Sequence, residues 1–461
     1  MSASVFARLS TGEPPARTEI VMDKAVVLGG SIAGLLAARV LADHAHTVVI
    51  VERDELPGVP GPRPGTPHDG QVHGLLPGGL VQLDRFFPGF SAEALAEGAL
   101  FSPSERTRQY IDGFAKVPDG RMGILTCSRP LLEALIRRRT LELPNVKVIT
   151  ARATDLVLWG GVVTGVRCAA GSEEWIEEAD FVADAMGRAS KMSDWLSAHG
   201  WESPRLRRLP INVNYATGFF RRAEAEPAIG TAIAYRSPSA ELPKVGVAAL
   251  VAIEDAQWMV LLAGFGDERP GRTLEEMRVL SSGEPAVFGE ATAGEPVGDI
   301  VTFRLADSRR RDYHGLKRYP ARLISIGDAV ASFNPVYGQG MSSAALQASA
   351  LSEYLRGGPD LNQPARAFLA TQRVVADAAW KMSTAADLAR PDIHGPYPRW
   401  FRLDQWLTGQ VIAASVTDAE TAARFNAVTY MLRHPRTLRS PGTLLRAFRV
   451  NRRLRQSPQQ A

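Results

Sequence analysis

Cysteine is almost missing: Cys127 and Cys168 are the only two in 461 residues. Two cysteines that far apart make neither a disulfide framework nor a zinc site, and they exclude a cysteine-ligated iron–sulfur cluster. No metal is expected, and the usage fits a reducing, cytoplasmic setting. Long apolar runs are missing too. The best stretch, residues 25–42, is broken by Gly29, Gly30, Ser31, Gly34 and Arg39, so no membrane-spanning helix is expected. Residues 1–21 lack the apolar centre of a secretion signal and are expected to be a disordered extension. Acid is missing from residues 431–461, which hold eight arginines, so the net charge of +4 becomes −4 over the rest of the chain. A basic tail suits nucleic acid or an anionic membrane surface; the plainer reading is a solvated helical face. No zinc finger, aromatic RNA motif or basic zipper accompanies it, so nucleic acid is not an expected partner.

What is present is ordinary globular material, 45% hydrophobic and 22% charged. The run Lys24 to Gly29 reads as a buried parallel strand, Ile32 to His44 as a helix, and Thr47 to Val51 as a second strand. This is a βαβ unit, closed by the acid Glu52. Ser128 and Pro130 open a helix. Apolar and alternating runs from about 208 to 306 predict a mostly antiparallel sheet. Leu323 to Gly327 returns to the buried-strand pattern, and helices follow. The expected class is α/β. A discontinuous Rossmann-like domain (22–205 and 307–358) carries an inserted β-sheet substrate domain (206–306, with part of 64–100) and C-terminal helices (359–461).

Two motifs carry chemistry. In Gly29-Gly30-Ser31-Ile32-Ala33-Gly34 the first glycine suits a tight turn and the last a close helix–strand approach. The helix N-terminus then offers N–H groups to a diphosphate. Ser31 stands where a second glycine is usual. Glu52 is placed to bond ribose hydroxyls. The second motif is Gly327-Asp328-Ala329, followed by Pro335-Val-Tyr-Gly338-Gln-Gly340-Met341. An Asp at a strand end suits a sugar-like hydroxyl, and the following turn opens a helix whose N–H groups suit an anionic ring edge.

Together these motifs resemble the FAD-dependent monooxygenases of the aromatic-hydroxylase type. The resemblance spans about residues 22–350. It implies that Gly29, Gly30, Ser31, Ala33 and Gly34 hold the ADP half of FAD, with Glu52 and Arg53 at its ribose end. It implies that Asp328 binds the ribityl chain, and that Pro335, Gly338, Gly340 and Met341 face the pyrimidine end of the flavin. Arg63-Pro-Gly65 is similar to the family's Arg-x-Gly, and Arg129 with Leu132 to its Arg-x-x-Leu helix; both arginines are expected near the cofactor. Asp184-Ala-Met-Gly187 is similar to a motif tied to FAD and NAD(P)H, but two residues separate the Asp from the Gly. Arg63, Arg129, Asp184 and Gly187 are thus cofactor candidates.

Asp184 to Ser190, His73-Gly-Leu-Leu76, Cys127-Ser-Arg129 and Phe333-Asn-Pro-Val-Tyr-Gly338 are similar to a bacterial branch. It includes polyether-antibiotic epoxidases, relatives of squalene epoxidase. The implied reaction is epoxidation of an apolar polyketide or terpenoid alkene. NAD(P)H would be a transient donor, and O2 would supply one oxygen atom through a flavin C4a-hydroperoxide. The alternatives are hydroxylation of a phenol or other aromatic, and non-oxygenating reduction of prenyl chains; a separate flavin reductase is an open partner. Halogenation is disfavoured, since no tryptophan lies in a Trp-x-Trp-x-Ile-Pro motif. His73 is the catalytic candidate, as proton donor or substrate contact, while His68 reads as a loop residue. Phe219, Trp258, Phe303 and Tyr337 are candidates for the substrate pocket. Cys127 reads as a small buried residue.

Overall fold

The computed structural model describes residues 2–16, 19–223, 226–237, 239 and 241–456. The buried apolar runs form a five-stranded parallel sheet in the order Leu323–Ser325, Phe181–Asp184, Met22–Leu28, Ala45–Glu52, Val146–Thr150. Helices cover its inner strands, which is why Val26, Val27 and Val49 read as continuous apolar sequence rather than as alternation. The winding direction reverses between Met22–Leu28 and Phe181–Asp184. Such a reversal opens a crevice beyond the carboxyl ends of the strands. Arg152–Trp159, Val162–Ala170 and Glu173–Glu178 form a small antiparallel sheet beside it.

The second large sheet has eight strands, and it is wider than the sequence pattern implied. Its centre is Leu206–Arg221, Gln257–Phe265, Val247–Ile253 and Thr231–Tyr235, paired antiparallel. Thr107–Ile111 then adds in parallel to Thr231–Tyr235. Residues 64–100 give the sheet no strand. Thr107–Ile111 was not legible because it is a half-buried Thr-Arg-Gln-Tyr-Ile with neither an apolar run nor clean alternation. At the other edge Val301–Arg311 crosses the expected boundary at 306 without a break and pairs with Ala331–Ser332.

The helix Gly340–Arg356 packs against Ile32–Leu41, so the second motif is brought onto the first. Arg366–Asp387 follows. Phe401–Thr417, Ala419–Thr429 and Pro441–Gln456 then share a small core of Val411, Ala414, Val428, Leu438 and Ala447. Among the described residues no helix is long and apolar enough to cross a membrane.

The expectation of a disordered N-terminal extension is corrected for its first part. Ser2–Leu9 is a helix with Phe6 and Leu9 fully buried. Phe6 meets the His434 ring edge-on at 5.8 Å, and Arg8 makes paired bonds of 2.6 and 2.9 Å to Glu353. Met1, Arg17 and Thr18 lie outside the described residues. Eight residues with two buried positions carry too little pattern to announce a docked helix. Truncating Phe6→Ala should cost ~3–5 kcal/mol, the range for a buried phenylalanine. Denaturant unfolding measures it; a loss near zero would mean that the helix does not dock.

Candidate active site

The crevice is built on backbone contacts that exclude side chains. A Cβ on Gly34 would stand 1.8 Å from the Gly29 carbonyl oxygen, and one on Gly29 would stand 2.6 Å from that of Ala185. Gly29 also has φ +107°, which glycine alone adopts without strain. The helix Ile32–Leu41 therefore starts directly over the strand ends. Its Ser31 N-cap position has no side-chain cap bond, so the first-turn N–H groups face the crevice. Glu52 is buried and accepts the Gly30 N–H at 2.6 Å and the Asp54 N–H at 3.1 Å. Arg53 points outward, exposed, 3.8 Å from Asp54.

Beside the crevice lies a buried ion cluster whose centre, Glu133, sequence reasoning missed. Its carboxylate receives Arg63 at 2.7 Å, Arg129 at 2.7 Å and the Ser31 hydroxyl at 2.8 Å, with Arg137 at 3.7 Å. Burial alone would raise its pKa, but the Arg129 and Arg63 charges and hydrogen bonds outweigh that and hold it down at about 2. The signal was present: Arg129, Glu133 and Arg137 are spaced four apart on one helix face. Arg63 also reaches Asp54 at 3.0 Å, and its Nη2 is buried with no partner.

The second motif arrives from the far side of the sheet. A Cβ on Gly327 would stand 2.6 Å from the Ala33 Cβ, so Asp328 is placed at the mouth of the crevice. Burial pushes its carboxyl up to about 6, against the charges of Arg188 and Arg129. Arg188 is tied to Asp307 and, at 3.3 Å, to Ser332. Gly338, at φ +65°, ends the Pro335–Tyr337 turn and lets Gly340–Arg356 begin, with Met341 half-buried beneath. Gln339 Oε1 is buried without a partner.

Asp184 is corrected from ligand contact to scaffold. It is fully buried, and its carboxylate accepts Ser190 at 2.7 Å, Ser325 at 2.9 Å and the Met186 N–H at 3.1 Å. Asp184 ends a strand buried along its whole length, while Gly187, at φ +69°, has open space beside it.

A cavity of about 780 Å³ reaches from the Pro335–Gln339 turn, between the eight-stranded sheet and the C-terminal helices. Phe303 and Tyr337 line it. Phe219 and Trp258 do not, which corrects both. Phe219 packs with Val251, Ile253 and Met259, while Trp258 lies on another core with Arg222 5.6 Å over its ring. Trp258 points to the opposite face of its strand from the cavity-lining Leu261 and Phe265, whereas Phe219 shares the face of Tyr215 but lies farther along the strand, packed on Met259.

His73 stands at the flavin-motif end of the cavity, and so does His68, a loop residue that also lines it. Their rings are 5.2 Å apart, and His68 lies 5.7 Å from Phe303. Burial, with Arg129 and His68 nearby, lowers His73 to about 3; His68 falls to about 4. Both rings are therefore neutral at physiological pH. His73 Nδ1 is 2.8 Å from the Gln71 carbonyl, which only an N–H can satisfy, so Nε2 is an acceptor. A neutral ring so bonded presents an acceptor rather than a proton to the cavity. Cys127 is buried, and burial pushes its thiol up, away from reactivity. Among the described residues no group of three or more His, Cys, Asp or Glu is placed to hold a metal ion.

No family model matches the chain. Over 426 residues it is 34% identical to Protein Rv3254 of Mycobacterium tuberculosis, with 87% of this chain and 88% of that protein covered. The chain belongs to the Rv3254 family. A segment of 90 residues is 37% identical to kynurenine 3-monooxygenase of Salinispora arenicola, covering 20% of this chain and 18% of that one. Among solved structures, the flavin-dependent brominase Bmp2 matches with TM-score 0.67 at 15% identity, over 94% of this chain and 100% of that chain. The p-nitrophenol 4-monooxygenase PnpA from Pseudomonas putida DLL-E4 matches with TM-score 0.61 at 18% identity, over 90% and 99%. This member of the Rv3254 family thus has the fold of FAD-dependent monooxygenases and halogenases. Its residues fit that cofactor: the crevice admits backbone but no Cβ, Gly187 and Gly340 border open space, and Arg63 Nη2 and Gln339 Oε1 are buried polar atoms awaiting partners.

Glu133 is the pH-sensitive point of the site. Its folded-state pKa lies below the unfolded value of 4.5, so its stabilisation is complete above about 4.5 and is lost as pH falls through about 2. The shift corresponds to about 3 kcal/mol. Replacing Glu133→Gln should lower stability at neutral pH by ~3–5 kcal/mol, because buried arginines lose their counter-charge, and should flatten acid unfolding below pH about 4.5. Urea titrations at several pH values check both.

Proposed function

We propose that this chain is an FAD-dependent monooxygenase that uses NAD(P)H and O2 to insert one oxygen atom into a bulky apolar substrate. The observation that carries the reading is the meeting of the large cavity with the Pro335–Gln339 turn, on the far side of which lies a dinucleotide crevice. Bound FAD would supply the electron transfer and the oxygen activation. The chain supplies the rest. The N-terminus of Ile32–Leu41 meets the diphosphate, Glu52 the ribose, and Asp328 the ribityl hydroxyls. The N-terminus of Gly340–Arg356 offers partial positive charge to the pyrimidine edge. Phe303, Tyr215, Leu261 and Phe265 line the cavity and keep water out.

The finer reading is epoxidation of an alkene in a polyketide or terpenoid intermediate. The apolar walls support it, and so does the chemistry, since epoxidation needs no proton removed from the substrate. Hydroxylation of a phenol is the second reading, favoured by one observation: His73 Nε2 is a free acceptor in the cavity wall. As an acceptor for the phenol O–H, His73 would orient the ring, while a pKa held down at about 3 makes it a weak base.

Oxygen uptake and NAD(P)H oxidation by the FAD-loaded protein, offered polyenes and phenols, test the reading. A polyene-stimulated rate with an oxygen-added product supports epoxidation, and a phenol response supports hydroxylation. No oxygen uptake with any donor or with an added flavin reductase would sink the monooxygenase assignment. His73→Ala should keep its rate on an alkene and lose it on a phenol. Asp328→Ala should weaken FAD retention; a variant that stays fully yellow through gel filtration would remove Asp328 from the cofactor site.

A further inference from the structure

The outer face of the Phe401–Thr417 helix lacks the polar coat of a solvated surface. Trp400 is 65% exposed and Trp406 54%, with Leu403 49% exposed between them. Leu403 and Trp406 are three apart and share a helix face. The Trp406 ring lies 5.5 Å from that of Phe448, so the patch runs on to Pro441–Gln456, where Leu445 is 54% exposed. A contiguous exposed patch of this kind marks an interaction surface.

Arginine surrounds it. The Arg399 guanidinium lies 5.2 Å over the Trp400 ring, and Arg402 sits one turn before Trp406. Arg452 and Arg455 follow Phe448 by four and seven positions and so share its face; both are exposed. Within Pro441–Gln456 there is no acid, and among the described residues only Arg446 is drawn off, to Asp418 at 2.7 Å. Tryptophan and leucine at the centre with arginine at the rim is the chemistry of a helix lying in a headgroup layer. A second copy of this chain fits badly, since a two-fold contact through this face would set arginine against arginine.

We propose that this face docks on an anionic lipid surface, with Trp400, Leu403 and Trp406 sunk among the headgroups and the arginines on lipid phosphates. The mouth of the cavity lies beside it. Pro398, Arg436 and Arg439 are exposed and also line the cavity, and the opposite face of the same helix lines it through Phe401, Gln405 and Thr408. Docking therefore holds the mouth at headgroup depth, where a bilayer-dissolved molecule enters without crossing water. That delivery rests on the reading of the cavity as the substrate site; the docking does not.

Sedimentation of the full chain with phosphatidylcholine vesicles, with and without phosphatidylglycerol, tests the docking with no turnover needed. The protein should pellet with the anionic vesicles only, release as salt rises, and show a blue shift of tryptophan emission. Arg452→Gln and Arg455→Gln should each weaken partitioning roughly fivefold, and Trp406→Ser roughly tenfold or more, with thermal unfolding unchanged. If Trp406→Ser does not fold, the two arginine variants, which alter only exposed groups, still decide. Equal binding to neutral vesicles, no binding to either, a change confined to oligomer size in light scattering, or binding of RNA in place of vesicles would each overturn the proposal.

Discussion

Helix and strand touch backbone to backbone at the glycine turn, and everything in the crevice follows from that approach. Because Gly34 leaves no room for a Cβ against the Gly29 carbonyl, the helix N-terminus is pinned at the strand ends. Because Gly327 lies against Ala33, the second motif, nearly three hundred residues on, is pinned to the same spot. The partial charges of two helix N-termini are thus fixed relative to one another by contacts that no rotamer change can relax. Charged side chains add to this frame but do not create it.

Glu133 shows how the frame is held electrically. Three arginines surround one carboxylate out of water, with Glu52 and Asp54 within reach of Arg63. Such a cluster is costly to bury and costly to break, so it works as a lock on register rather than as a source of net stability. It ties the loop carrying Arg63 and the helix carrying Arg129 to the Ser31 turn.

The nucleotide half of the fold was legible because its signals are local. A strand, a glycine turn, a helix and a terminal acid lie within thirty residues, and Asp328 with its turn lies within fifteen. The rest was hidden for specific reasons. Phe219 and Phe303 are both aromatics on the same face of the sheet; Phe303, opposite Tyr215, reaches the cavity, while Phe219, four residues along from Tyr215, packs on Met259, and such a position along a strand is not written in the sequence. Asp184 resembles a ligand contact in sequence because its partners, Ser190 and Ser325, are polar residues that the motif alone does not place beside it. Glu133 looked like one more charge on a helix until three arginines were seen to close on it. The cavity draws its walls from the loop at 68–76, from the eight-stranded sheet and from the last hundred residues, and such a convergence leaves no mark on any one stretch of sequence.

The edge strand Leu323–Ser325 has a consequence for how the chain is made. It pairs with Phe181–Asp184, and Ser325 supplies one of the hydroxyls that satisfy Asp184. Between the two lies most of the eight-stranded sheet. On a ribosome the first four strands emerge and must wait, with a bare sheet edge and a buried acid short of one of its three partners, until that whole insertion has been synthesised. The crevice is consequently among the last features to close, although its first glycine is among the first residues translated. A nascent chain stalled anywhere before residue 323 would expose an unpaired parallel edge, the kind of surface that recruits other strands.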